Sequence, residues 1–93
     1  TEGLQNAISY IEENLTEDIR IKDVAEVAYV SEYHFQRIFT MLCGFSVAEY
    51  IRSRRMALAA RELAGSDAKV IDVALKYSYD SPDSFARAFA LVR

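Results

Sequence analysis

Three features of this 93-residue chain predict an all-helical fold of two helix-turn-helix units joined by a longer helix. The first is an internal repeat. Asp23-Val24-Ala25 is followed by Ser31, Phe35, Arg37 and Phe39, and Asp72-Val73-Ala74 by Ser81, Phe85, Arg87 and Phe89. The offset is 49 residues at Asp23/Asp72 and 50 at Phe35/Phe85, so the second copy carries one extra turn residue. The second feature is period: apolar residues recur at helical spacing, and no run alternates at period two, so no sheet is expected. The third is a set of helix-boundary signals placed between the periodic runs.

Leu4, Ala7, Ile8, Ile11 and Leu15 form one apolar stripe, with Gln5, Glu12 and Glu13 opposite, so the first helix is a cover for the core. Glu17-Asp18 breaks it. A short second helix follows over about 21–28, turning Val24, Ala25 and Ala28 inward; Arg20 stands where a capping Ser or Thr is usual. Ser31 is the N-cap candidate for a third helix over about 31–42, with Phe35, Ile38, Phe39 and Leu42 as its buried stripe and Gly44 as its stop. Ser46-Val47-Ala48-Glu49 is a capping box. It opens a long helix to about Leu63, kept slim by Ala57, Ala59 and Ala60 and ended by Gly65. Val70, Ile71, Val73 and Ala74 give a short fifth helix. After Ser78-Tyr79-Asp80, Ser81 is placed to cap a sixth, with Pro82 at its first position, where the missing N–H costs nothing, and Phe85, Ala88 and Phe89 inward.

Composition narrows the function classes. The chain is 52% hydrophobic, with six Tyr, five Phe, three Gly and one Pro, which suits a packed core and argues against disorder. A single cysteine, Cys43, excludes an internal disulfide and fits a reducing compartment, the cytoplasm. No apolar run approaches the ~20 residues of a membrane span. The chain begins with Thr and stops at Arg93 inside a helical pattern, so it is expected to be a piece of a longer protein. No catalytic constellation is visible. His34 is the only histidine and has no second histidine or thiol with which to form a metal site or a nucleophile–base pair. No basic neighbour in sequence activates Cys43. No enzyme activity and no cofactor are expected.

Two recognition-type helices about 50 residues apart suit a partner with a repeat of its own, and the major groove of duplex DNA returns every ~34 Å. The overall charge opposes this: 11 Lys and Arg against 14 Asp and Glu give a net charge of −3, whereas phosphate neutralisation supplies much of DNA affinity. The local distribution favours it, because Arg52, Arg54, Arg55 and Arg61 cluster while acids concentrate at 12–18. Arg52 and Arg54 are candidate phosphate contacts, and Arg55, near the apolar seam, is a candidate structural ion pair.

In order and spacing, these residues are similar to the AraC/XylS family of bacterial transcription regulators. The resemblance covers almost the whole chain. It rests on Asp23-Val24-Ala25, the block from Val30 to Phe39, Gly44, Tyr50-Ile51, Arg55-Met56, Ala59, Ile71-Asp72-Val73-Ala74 and Phe85-x-Arg87-x-Phe89. It implies a first lobe over about 4–44, a linker helix over about 46–64 and a second lobe over about 66–93. The third and sixth helices would then enter adjacent major-groove segments of double-stranded DNA. By position, Tyr33, Gln36 and Arg37 face bases from the third helix, and Pro82, Asp83, Ala86 and Arg87 from the sixth. Arg pairs bidentately with guanine and Gln with adenine, while Asp83 accepts from cytosine N4 or is repelled by phosphates.

The chain departs from the family pattern at Ser78, where the family prefers Gly, and in lacking the closing G-x-x-P segment. With few donors on the sixth helix, the first lobe is expected to be the stronger reader. The resemblance further implies an activator with RNA polymerase as partner, an effector domain outside these residues, and no membrane association. The alternative is the same fold used mainly for protein interaction, with weak DNA binding.

Overall fold

The computed structural model describes residues 2–79 and 82–92, and all of its regular structure is helical. In order the helices are α1 (Glu2–Glu13), α2 (Ile21–Val27), α3 (Glu32–Cys43), α4 (Val47–Gly65), α5 (Val70–Lys76) and α6 (Pro82–Val92). The molecule is elongated, 40 × 21 × 21 Å. Its length follows α4, whose 19 residues rise about 28 Å.

Two separate cores lie along it. The first buries Ala7, Ile11 and Leu15 against Val24, Ala25, Phe35, Phe39, Val47 and Ile51. The second gathers Met56, Ala59, Val73, Ala74, Tyr77 and Phe85. The long helix serves both by changing face. Val47 and Ile51 belong to one core and Met56 and Ala59 to the other, and the step from Ile51 to Met56 turns about 140° around the helix. Two helix-turn-helix subdomains therefore share one linker helix.

Local signals act as the sequence predicts at three boundaries. The Ser31 hydroxyl accepts the His34 N–H at 3.1 Å. Gly44 closes α3 in the left-handed region at φ 82°. The box at Ser46 is complete: Glu49 N–H donates to Ser46 Oγ at 3.1 Å and Ser46 N–H donates to the Glu49 carboxylate at 2.8 Å. Arg20 makes no side-chain cap, as expected. Asp80 and the expected cap Ser81 lie outside the described residues.

Two expectations are corrected. Only Phe35 and Phe39 are buried on α3; Ile38 and Leu42 are exposed. They lie about 60° around the helix from the Phe row, and α3 packs into the first core on one side only, against α1, α2 and the start of α4. Gly65 is the last helical residue rather than the residue beyond the end. The stop belongs to Ser66, whose backbone is extended and whose hydroxyl donates to the Glu62 carbonyl at 2.6 Å. In α5, Val70 and Ile71 are exposed and only Val73 and Ala74 are buried.

The repeat extends to the turns. After α2, Tyr29 N–H donates to Glu26 O at 3.0 Å and Val30 N–H to Ala25 O at 3.2 Å. After α5, Ser78 N–H donates to Leu75 O at 3.1 Å and Tyr79 N–H to Ala74 O at 2.9 Å. Both are Schellman closures, and both put a non-glycine residue in the left-handed region, Tyr29 at φ 61° and Ser78 at φ 72°. The departure from glycine at Ser78 is visible against the family pattern, whereas nothing in the sequence marks Tyr29. A Cβ there costs about 1–2 kcal/mol, partly offset by the entropy glycine loses on folding. Tyr29 is 91% exposed and has little packing to lose. Tyr29→Gly should therefore stabilise by about 0.5–1 kcal/mol and raise the melting temperature by a few degrees. A thermal melt at or below the parent's would count against strain at this turn.

Candidate nucleic-acid interface

The outward face of α3 is built from two rows one turn apart. Tyr33, Arg37 and Met41 form one, at spacing four, and Gln36 and Thr40 form the other. All five are exposed and together line one shallow hollow. Within the first row, Arg37 Nη1 donates to Tyr33 Oη at 3.3 Å, and its guanidinium carbon lies 5.8 Å from the Tyr33 ring centroid. The ring thus steadies the guanidinium while leaving its remaining donors toward solvent. The face is held from beneath by Phe35 and Phe39, with ring centroids 5.9 Å apart. At the head of the helix, Ser31 Oγ lies 3.0 Å from His34 Nδ1, and the imidazole faces solvent.

On α6, Asp83, Ala86 and Arg87 are exposed. The side chain of Pro82 lies outside the described residues. Inward, Phe85 is buried, with its ring centroid 5.7 Å from Tyr79 and 6.1 Å from Phe89. Among the described side chains, the outward side of α6 thus offers one long cation, one carboxylate and a methyl group, against Tyr33, Gln36 and Arg37 on α3.

Residues 24–92 match a family model described as a helix-turn-helix domain, of the AraC type. The chain belongs to the AraC-type helix-turn-helix family.

Over 87 residues the chain is 44% identical to YbfP, an HTH-type transcriptional regulator of Bacillus subtilis, covering 94% of this chain and 30% of that protein. It is 41% identical over 86 residues to the HTH-type transcriptional activator AarP of Providencia stuartii, covering 92% of this chain and 64% of that protein. The chain thus spans under a third of the first relative and just under two thirds of the second. Among solved structures, the DNA-binding domain of AdpA, a global transcriptional factor in complex with a target DNA, superposes with a TM-score of 0.86 at 28% identity. That match covers 96% of this chain and 80% of the AdpA chain.

Within this AraC-type domain Arg52, Arg54 and Arg55 of α4 take different places. Arg54 was expected as a free phosphate contact and is corrected: its Nε and Nη2 each donate to the Glu12 carboxylate at 2.9 Å. Tyr50 donates to the same carboxylate at 2.9 Å. Arg54 therefore ties the linker helix to α1. Arg55 is structural, as expected, but its partners are carbonyl oxygens: Leu15 O at 3.0 Å and Glu17 O at 2.7 Å. It closes the α1–α2 loop. Arg52 is half-buried beside Ile21, Ser78 and Tyr79, between the two lobes. Glu62 repeats the Glu12 arrangement in the second lobe by accepting from Lys76 and, at 3.1 Å, from the Tyr77 hydroxyl.

The Arg54 guanidinium holds the Glu12 carboxyl below the usual carboxylate range. Burial first, and then Glu12, pushes the Tyr50 hydroxyl up to about 12. A depressed carboxylate contributes stability above its unfolded value, near 4.5, and that contribution is lost as pH falls through the lower folded value. Both side chains of the pair are about a third exposed, so screening keeps its worth to about 1 kcal/mol. Arg54→Ala should cost about that much in urea unfolding at pH 7, and the gap to the parent should shrink at pH 3. An equal gap at both pH values would show that Arg54 acts by packing alone.

Two features of the domain are not among the residues the sequence marks. Thr40 and Met41 lie beside the readers, and the i, i+4, i+8 spacing of Tyr33, Arg37 and Met41 was the available signal. The Glu12–Arg54 pair joins residues 42 positions apart and has no local signature.

Proposed function

We propose that this chain is the DNA-binding part of a bacterial transcription regulator, recognising double-stranded DNA sequence-specifically through α3 and α6 in adjacent major-groove segments. The observation that carries it is the outward face of α3: Tyr33, Gln36 and Arg37 exposed together on a helix whose opposite side is locked into the core. Gln36 reads adenine and Arg37 guanine by paired hydrogen bonds. Asp83 and Arg87 serve the weaker second reader. Arg52 and the ends of the recognition helices contact phosphates.

The acidic balance fits modest non-specific affinity, because two of the linker arginines are engaged within the fold. The support from relatives is that AarP is a transcriptional activator and that the AdpA domain was solved on its target DNA. The same reading assigns RNA polymerase as the protein partner, places any small-molecule effector in a domain outside these residues, and puts the regulator in the cytoplasm.

Selection of bound duplexes from a random library should return two short motifs about one helical turn apart. Affinity for the selected duplex should fall linearly in log–log form with salt. No enriched motif, or binding indifferent to salt, would overturn the proposal.

A further inference from the structure

The hollow on α3 has a feature that the hydrogen-bonding readers do not explain. Its far end is walled by Thr40 and Met41, and Met41 is 77% exposed. Between Tyr33 and Cys43 the helix carries one arginine and no acidic side chain, so nothing on this strip repels a phosphate backbone. The strip from Tyr33 to Met41 rises about 12 Å, enough to track three or four base steps of about 3.4 Å. The apolar end is therefore continuous with the face that presents Gln36 and Arg37.

The major-groove edges of base pairs are almost wholly polar. Their one apolar group is the C5-methyl of thymine. Seating a cytosine amino group or a guanine carbonyl against a thioether leaves a polar group without a partner, which is costly. A methyl group loses nothing there and sheds water from both surfaces. Methionine, unbranched and polarizable, moulds itself to such a contact.

Resting on the proposed DNA-binding role, we infer that the site read by α3 contains a thymine whose C5-methyl seats against Met41 and the Thr40 methyl, one or two base steps from the base read by Arg37, because Met41 lies one α-helical turn beyond Arg37. Thr40 and Met41 are then specificity-determining residues that act without hydrogen bonds to the base.

The test uses the full chain and the duplex returned by library selection, with each thymine replaced singly by deoxyuridine. That change removes the methyl and keeps every hydrogen-bonding group. Burying one methyl is worth about fourfold in affinity. One deoxyuridine under α3 should weaken binding by about that factor, and Met41→Ala should lose most of that difference between the thymine and uracil duplexes. Met41 is exposed, so this variant keeps the fold; Thr40→Ser, which removes only the Thr methyl, should lose part of the same preference. A selected duplex indifferent to every thymine-to-uracil change overturns this inference and leaves the DNA-binding role standing. A uracil penalty that survives undiminished in both variants also overturns it. If no duplex is enriched at all, both fall together.

Discussion

Phe39→Ala is expected to lower the stability of this chain by about 3–5 kcal/mol, through the lost transfer energy of the ring and the cavity it leaves. Phe39 is 0% exposed. Its ring meets Phe35, Phe45 and Tyr50 with centroids 5.9, 6.0 and 5.7 Å away. Total stability for a chain of this size is about 5–14 kcal/mol, so the variant should be largely unfolded at moderate denaturant. Ile38→Ala, at the neighbouring exposed position, should cost well under 1 kcal/mol. Denaturant midpoints of the two variants measure this directly. Similar midpoints would show that α3 is not anchored through its Phe row.

The contrast between Phe39 and Ile38 also marks how far this fold is legible in its sequence. Caps act over four residues or fewer, so Ser31, Gly44 and the Ser46/Glu49 box could be placed from spacing alone. The repeat made Phe35, Phe39, Phe85 and Phe89 core candidates; the first three are buried and Phe89 is half-buried against the second core. What periodicity cannot state is how many neighbours cover a helix. Ile38 and Leu42 fit the apolar stripe, but α3 packs on one side only, and Leu42 remains 60% exposed. The arginines of α4 show the same limit. Arg52, Arg54 and Arg55 look alike in sequence, and their roles differ because Glu12, Leu15 and Glu17, some 40 positions away, accept from two of them. The candidate readers were named from helical phase, which places a side chain outward without saying what stands beside it. Met41 was missed for that reason.

Arg37→Ala should change sequence choice more than general affinity. The guanidinium is already positioned before any partner arrives, by the hydroxyl and ring face of Tyr33 one turn earlier. A side chain held in this way loses less freedom on binding, which sharpens discrimination. A bidentate Arg–guanine pair distinguishes the correct base from the others by about 1–3 kcal/mol, roughly 5- to 150-fold. In the Arg37→Ala variant, preference at one base pair of the selected site should collapse by that factor. Binding to unrelated duplexes should fall only by the loss of one charge. Tyr33→Phe keeps the ring and removes the hydroxyl, so it should relax the preference at the same base pair by a smaller factor and leave the other positions unchanged. Binding measured over all single substitutions of the site, for parent and both variants, separates the cases. If Arg37→Ala weakens every sequence equally, Arg37 contacts a phosphate. If Tyr33→Phe relaxes a different base pair, Tyr33 reads on its own account and does not act through Arg37.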